Sequence, residues 1–410
     1  MKGERNNSNY LDLRKLKTYV IDSENSKEKD DAISYERLKS NEYIWVHIAN
    51  PTEYIKKDDE IDKIAYSRLS TLYLIEKTIY MLPISNLENL SGFASDRITK
   101  AISMRIELDK EGDIKSYYLT KSIIKPTYIL NYEEVDELLE LQPLEESDLI
   151  RINILTKLRR SKRIKNGAIF INQDQGKFIN SKINPVISIQ EKLSSNLLVE
   201  ECMILMGNVL AKHCSEQGIP MIYRIQTASV IPRRDINISD NIYSSYLKRI
   251  LKKAIYCTTS EKHFSLSIDS YIHCTSPIRR YVDFIVHRQV TSYLNGEECY
   301  SLDNMKEIVK VVNSRSFDNI NTYRQEQKEC TANWLKSKKS KIWKSYFIMW
   351  LRKSENIMIM KIPEIEIDII CCLRNAGNYK LGQQLLTQYY DFDSDKGNFI
   401  FDLFKLNKAD

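Results

Sequence analysis

Asp22, Glu28, Asp30 and Asp31 crowd one short stretch, Asp22-Ser-Glu-Asn-Ser-Lys-Glu-Lys-Asp-Asp-Ala-Ile33. Carboxylate oxygens at this density suit a hard divalent cation. Mg²⁺ in particular binds through a few carboxylates together with water and substrate phosphate. An EF-hand is excluded, because no glycine stands at the sharp turn and the ligand ladder is wrong. A solvated acidic surface loop fits the same spacing, and the adjacent Asp-Asp pair does not choose between the two.

A second stretch runs Tyr271-Ile-His-Cys-Thr-Ser-Pro-Ile-Arg-Arg-Tyr-Val-Asp283 and on into Phe-Ile-Val-His-Arg288. Thr275 or Ser276 is expected to cap a helix, with Pro277 in its first turn. A helix start with hydroxyls, backbone N–H groups, Arg279 and Arg280 is suited to phosphate. The alternative is a surface helix start whose Asp283 pairs with Arg279 or Arg280 about one turn away.

The elements that must position these residues read as α+β. The apolar run 17–21 is a strand entering the acidic loop, and residues 42–50 form a second strand ended by Asn50-Pro51. Residues 58–74 read as a helix with Ile61, Ile64 and Ala65 on one face, followed by a short strand. Residues 98–130 read as a hairpin turning at Glu111-Gly-Asp113. A helical pattern covers 131–166, residues 168–180 read as another hairpin, and 196–218 as a long buried helix closed by Gly218. Residues 275–295 and 303–342 are again helical. Beyond about 345 the apolar runs become short and β-prone, the pattern of a small antiparallel barrel. The expected division is an extension at 1–17, a body at 18–342 and a β module at 345–410, with no internal repeat.

Composition narrows the class. Of 410 residues, 42% are hydrophobic and 28% charged, which excludes a disordered, collagen-like or disulfide-scaffold chain. A net charge of +6 permits an anionic partner, but any basic groove must be local. The eight cysteines include no C-x-x-C and no Cys/His cluster at ligand spacing, so free thiols in a reducing compartment are expected. No stretch reaches the roughly 18 apolar residues of a membrane span. The first residues lack the apolar core of a secretory signal and are too acidic for a transit peptide. Abundant Ile, Lys, Asn and Tyr point to A+T-rich codons.

Taken together, the two chemical stretches resemble the catalytic domain of the ribonuclease II / ribonuclease R (RNB) family of 3′→5′ exoribonucleases. YVIDSENSKEKDDAIS matches the acidic loop, and TSPIRRYVDFIVHR matches the second motif. Between and around them DLR, WVHIAN, LYLIEKTIYMLP, KNGAIFI, LVEECMILMGNVLA and PMIYRIQ fall in the family's order, covering about residues 10–340. The resemblance implies a mixed sheet with helices packed around an RNA channel, followed by a degenerate OB-like barrel.

It also implies a two-metal hydrolase acting on single-stranded RNA, in RNA decay or processing, and releasing nucleoside 5′-monophosphates. Asp22, Glu28, Asp30 and Asp31 would hold two Mg²⁺ ions, with Mn²⁺ as a substitute. Asp30, Asp31 and Arg279 would carry the chemical step. Tyr73, Tyr132 and Phe178 would stack on the RNA end, Glu200 or Glu201 would contact ribose, and Ser276, Arg279 and Arg280 would meet phosphates. Three positions depart from the family pattern: Glu28 replaces an Asp, Cys274 an aromatic and Gln226 a His. The family's N-terminal cold-shock modules are absent from the sequence, so less processive RNA shortening is expected. A non-catalytic RNA-binding scaffold on a decayed RNB fold is the alternative, and a DNA-directed nuclease a third. No membrane is implied, and a protein partner stays open. The codon bias suggests synthesis and action inside a plastid, with the bacterial cytoplasm as alternative.

Overall fold

The structure is a computed structural model that describes residues 10–83, 92–171, 173–375, 377–394 and 396–404, without the side chains of Ser316 and Phe317. Residues 1–9 of the expected extension and 405–410 of the expected β module lie outside the described residues.

The first third of the chain builds a seven-stranded mixed sheet. Its strands are β1 (Leu11–Asp12), β2 (Thr18–Ile21), β3 (Asp31–Leu38), β4 (Asn41–Ala49), β7 (Thr99–Leu108), β8 (Ile114–Ile124) and β9 (Tyr128–Leu130). The order is β1-β8-β7-β4-β3-β2-β9. Helix α1 (Glu60–Arg68) and the short pair β5 (Leu72–Tyr73) and β6 (Thr78–Ile79) are inserted between β4 and β7. The two outermost pairs are parallel and the rest antiparallel. Leu11 and Asp12 pair with Ser122 and Ile123, so part of the expected extension is an edge strand of the body. Pro126 follows β8, cannot donate a ladder hydrogen bond, and turns the chain away so that β9 joins β2 instead of prolonging the hairpin.

Both faces of the sheet are covered, which explains its strongly apolar strands. On one face Ile33, Ile44, Val46 and Met104 pack against Leu205, Met206 and Val209. These three belong to α4 (Ser194–Glu216), which follows α2 (Tyr132–Leu141), α3 (Ser147–Lys165), β10 (Gln175–Ile179) and β11 (Val186–Gln190). Pro143 separates α2 from α3, so the 131–166 helical pattern is two helices. Gly218, at φ +65°, lies just past the end of α4 as expected. On the other face Ala32, Ala49 and Ala101 meet Phe284, Ile285 and Met305. These last residues come from α6 (Tyr281–Asn295) and α7 (Leu302–Ser337), reached through β12 (Tyr223–Ile225), α5 (Asp240–Ile250) and β13 (Ile255–Cys257).

The hairpin expected at 168–180 is displaced. β10 pairs with β11, while Ile169 gives its N–H to Ser265 and stays irregular.

A closed five-stranded barrel ends the chain: β14 (Ile342–Arg352), β15 (Ile357–Ile362), β16 (Ile367–Leu373), β17 (Gln384–Asp393) and β18 (Asn398–Leu403). It begins a few residues before the expected boundary and contains one parallel pair, β16 with β18. Its core holds Trp343, Phe347, Met360, Tyr389 and Phe401, and Leu335 at the end of α7 belongs to the same cluster. The seam with the body is close. Gly176 on β10 donates its N–H to the Glu366 carbonyl, and a Cβ at Gly176 would sit 1.9 Å from the Ile365 carbonyl oxygen.

Phe178, expected in an RNA clamp, lies in this seam. It is 4% exposed and meets the Trp334 ring at 6.3 Å in an edge-on contact. Phe178→Ala should therefore cost about 3 kcal/mol of stability, in the range for truncating a buried aromatic. Denaturant unfolding measures the loss. Toward single-stranded RNA, the partner that the resemblance implies, folded Phe178→Ala should behave as the wild type does, and a selective loss of RNA affinity would return Phe178 to the expected clamp.

Candidate active site

The acidic loop leaves the sheet at Asp22, turns through Ser23–Ser26, and re-enters it at Asp31, which stands opposite Ile48 on β4. The loop encloses a cavity of about 410 Å³ lined by Asp22, Glu28, Asp30, Asp31, Tyr73, Tyr132 and Arg279 among others.

Each carboxylate has a different setting. Glu28 is buried and accepts hydrogen bonds from Thr71 Oγ1 at 2.6 Å and Tyr73 Oη at 2.5 Å. Asp30 is buried and accepts the Ile278 N–H at 2.9 Å on one oxygen, while Arg279 Nε lies 3.3 Å from the other. Asp22 accepts from the Ser23 N–H and hydroxyl on Oδ1. Asp31 has no hydrogen-bond partner for its carboxylate among the described residues. Burial raises the pKa of both Glu28 and Asp30. Burial and then the Asp22 charge push Asp31 up to about 7, against the pull of Arg279 and Arg280.

A pH dependence follows. A carboxyl whose pKa is raised by folding contributes stability below its ordinary value of 3.8, and that contribution is lost as pH rises to about 7. In EDTA, wild-type stability should therefore fall relative to Asp31→Asn across this window. Parallel urea titrations from pH 4 to 8 measure the difference. A constant difference would show that Asp31 titrates normally.

The second motif is placed by its partners. The expected cap at Thr275 or Ser276 is not formed, because α6 begins only at Tyr281. Residues 275–280 make a turn in which Arg279 and Arg280 both give their N–H groups to the Ser276 carbonyl. Asp283, fully buried in the first turn of α6, accepts the Ser276 N–H at 2.8 Å and Arg280 Nη2 at 2.7 Å. Asp283 thus pairs with Arg280, and Arg279 is left for the acidic cavity with its side chain 41% exposed. Ser276 is buried inside the turn, so a direct phosphate contact by its hydroxyl is not supported.

Among the aromatics, Tyr73 and Tyr132 line the cavity and Phe178 does not. Tyr73 is 47% exposed at its mouth. Tyr132 opens α2 behind the Asn131 capping box, with its carbonyl held by Ser195 Oγ. Glu201 is also elsewhere. It is 2% exposed and pairs with Arg163 at 3.0 Å between α4 and α3, and Glu200 pairs with Lys192 at the surface. Neither glutamate lines the cavity.

Thr71, Thr78 and Tyr80 belong to the site and were not expected there. Thr71 and Tyr73 stand two apart on an extended segment, so they face the same side and both reach Glu28. That alternation was readable. The Ile278 N–H was not, because a backbone donor leaves no mark in the sequence.

The donor set suits a hard cation held partly by substrate. Among the described residues no group of three or more His, Cys, Asp or Glu side chains is placed to hold a metal ion. Glu28 and Asp30 are engaged by internal donors, which leaves Asp31 and one oxygen of Asp22 for a ligand. One or two carboxylates plus phosphate and water is the usual Mg²⁺ arrangement, and a cation there would relieve the Asp22–Asp31 repulsion.

The RNB domain signature matches residues 10–296, and the chain belongs to that family. It is 32% identical over 365 residues to an uncharacterized ribonuclease of Synechocystis, covering 88% of this chain and 55% of that protein. It is 31% identical over 323 residues to the chloroplastic/mitochondrial ribonuclease II of Arabidopsis thaliana, covering 75% and 40%. The chain thus spans about half the length of these curated relatives. Among solved structures, Mycoplasma genitalium RNase R in complex with ribose-methylated single-stranded RNA superposes with a TM-score of 0.85 at 20% identity. That match covers 97% of this chain and 72% of the other, and the fold is shared.

Proposed function

We propose that the chain is a hydrolytic 3′→5′ exoribonuclease that shortens single-stranded RNA to nucleoside 5′-monophosphates, in RNA decay or processing. One observation carries the reading. The buried Asp30 carboxylate is bonded to both Ile278 and Arg279, so the acidic loop and the Arg-Arg turn meet although about 250 residues apart in sequence. That puts metal-type oxygen donors and a phosphate-type cation into one cavity. The relatives named ribonuclease support it.

In this reading Asp22 and Asp31 face the cations directly, with Asp30 and Glu28 behind them, and two Mg²⁺ ions are the proposed cofactor. When bound, the metal supplies an acidified water and neutralises the departing oxygen. Arg279 holds the scissile phosphate with the guanidinium N–H groups not spent on Asp30. The exposed Tyr73 ring and Tyr132 receive the terminal bases by stacking, which tolerates any base. A plastid is the proposed compartment, by the codon bias and the Arabidopsis relative, with a bacterial cytoplasm as alternative.

A second reading, an RNA-binding scaffold without catalysis, is favoured by the engagement of Glu28 with Thr71 and Tyr73. A 5′-labelled single-stranded RNA incubated with Mg²⁺, Mn²⁺ or EDTA separates the two. A ladder shrinking from the 3′ end with either metal, abolished by EDTA, is expected. Intact RNA under all three conditions would overturn the hydrolytic reading and leave the scaffold.

A further inference from the structure

The Arg-Arg turn has two sides, and only one faces the acidic cavity. On the other side lies a separate cavity of about 620 Å³. Its wall toward the acidic cavity is one extended segment thick. Ser70 bridges to Arg280, while Thr71 gives its N–H to the Arg279 carbonyl and its hydroxyl to Glu28. Adjacent arginines therefore serve adjacent cavities.

The second cavity has one sign of charge. Arg224, Lys253, Arg280 and Arg324 line it, and no Asp or Glu does. Arg224 lies 4.4 Å over the Tyr256 ring. Among the described residues no carboxylate lies within ion-pairing distance of Arg224 or Arg324. Arg280 is paired with Asp283, yet its Nε is buried without a partner. His273, which shares Nδ1 with the Tyr256 hydroxyl at 2.9 Å, adds no charge. Burial and the Arg280 and Arg224 charges hold its pKa well below the ordinary histidine range. The remaining wall is largely apolar, including Leu69, Ile255 and Val282. Unpaired arginines at a small-ligand cavity are suited to phosphate oxygens. The volume lies within the roughly 300–1,000 Å³ of small-molecule sites.

We propose that this cavity is a second site, for a phosphate monoester, and that its ligand is a nucleoside 5′-monophosphate. The phosphate lies on Arg224 and Arg324, and the sugar and base lie against the apolar wall. The choice of a nucleotide rests on the hydrolytic reading, since cleavage next door releases that product. The anion site rests on the cavity alone. Occupancy makes the enzyme sensitive to its own product at a place distinct from the metal-binding carboxylates.

Binding of AMP, inorganic phosphate and adenosine is measured by calorimetry on the full chain in EDTA, so that no metal can recruit phosphate to the acidic cavity. AMP and phosphate should bind and adenosine should not. Arg224→Ala with Arg324→Ala should weaken AMP binding by at least about tenfold, the scale of charge-assisted hydrogen bonds. Arg324→Glu alone, on the exposed face of α7, should weaken it without disturbing the core. Asp31→Asn should bind AMP as the wild type does.

Absence of AMP and phosphate binding overturns the proposal. So does binding that ignores Arg224 and Arg324, binding lost in Asp31→Asn, or adenosine binding as well as AMP. Displacement of AMP by a single-stranded RNA lacking terminal phosphates, at lower concentration than AMP itself, would assign the cavity to RNA backbone instead. An RNA-inert protein that binds AMP through Arg224 and Arg324 keeps the site and removes the hydrolytic reading. An active enzyme that binds no AMP removes the site alone.

Discussion

Asp31→Asn abolishes RNA shortening and leaves RNA binding in place: that is the outcome expected from the geometry. Of Asp22, Glu28, Asp30 and Asp31, only Asp31 accepts no hydrogen bond from a described residue, so its oxygens are available to a ligand. The amide keeps the shape and removes the charge. The metal's contribution to phosphoryl chemistry is several kcal/mol, and each 1.36 kcal/mol is tenfold in rate. A fall of roughly 10³-fold or more is therefore expected in single-turnover assays with excess enzyme. The protein should not unfold. Removing one of two repelling charges, Asp31 and Asp22, should hold or raise its stability in EDTA. RNA affinity by filter binding should stay within a few-fold of wild type, because Tyr73, Tyr132 and Arg279 are untouched. A purified Asp31→Asn protein with full turnover would remove Asp31 from the chemistry.

Arg279→Lys should be nearly as damaging as Arg279→Ala, each by roughly 10²-fold in turnover, the scale of losing one transition-state donor. Arg279 spends Nε on Asp30 and keeps the rest of its planar fork for phosphate. Lysine offers one ammonium and cannot span both partners in fixed geometry. Wild-type turnover in the lysine variant would reduce Arg279 to a source of charge. A loss matched by unfolding would show that the Asp30 contact is structural, and thermal melts of both variants decide this.

Much of this arrangement could be read from the residues. The acidic loop was visible because apolar runs bracket it, and both halves became strands of one sheet. The β7–β8 hairpin was visible because Gly112 supplies the positive φ of +87° that its turn requires. The terminal barrel was visible in its short, β-prone apolar runs. The failures share a cause: a partner far away in sequence overrides a local signal. Ser276 and Pro277 imitate a helix start, but Asp283 takes the Ser276 N–H and makes a turn. The apolar 168–171 run reads as a strand, but Ser265 claims Ile169. Glu201 and Phe178 carry chemistry-bearing side chains, yet Arg163 and Trp334 bury them. The family order of motifs cannot show that a matching residue points into the core.

Gly176 makes the relative placement of barrel and body depend on a residue with no side chain. Its Cα lies against the Ile365 carbonyl so closely that a single added methyl must push the two apart. Helix α7 runs 36 residues, about 54 Å at 1.5 Å per residue, from the sheet-facing core at Met305 to the barrel core at Leu335. The barrel thus sits at the end of a long helix and is also held against the body at the Gly176 seam and along α5, where Ile242 packs on Ile348 and Ile359 and Ser245 donates to Asp368. A wedge at position 176 acts as a change of aim. It would turn the barrel with respect to both cavities while leaving the atoms of each in place. Under the proposed function, a change in how steadily RNA is shortened can therefore originate at this seam, remote from the residues that line the acidic cavity.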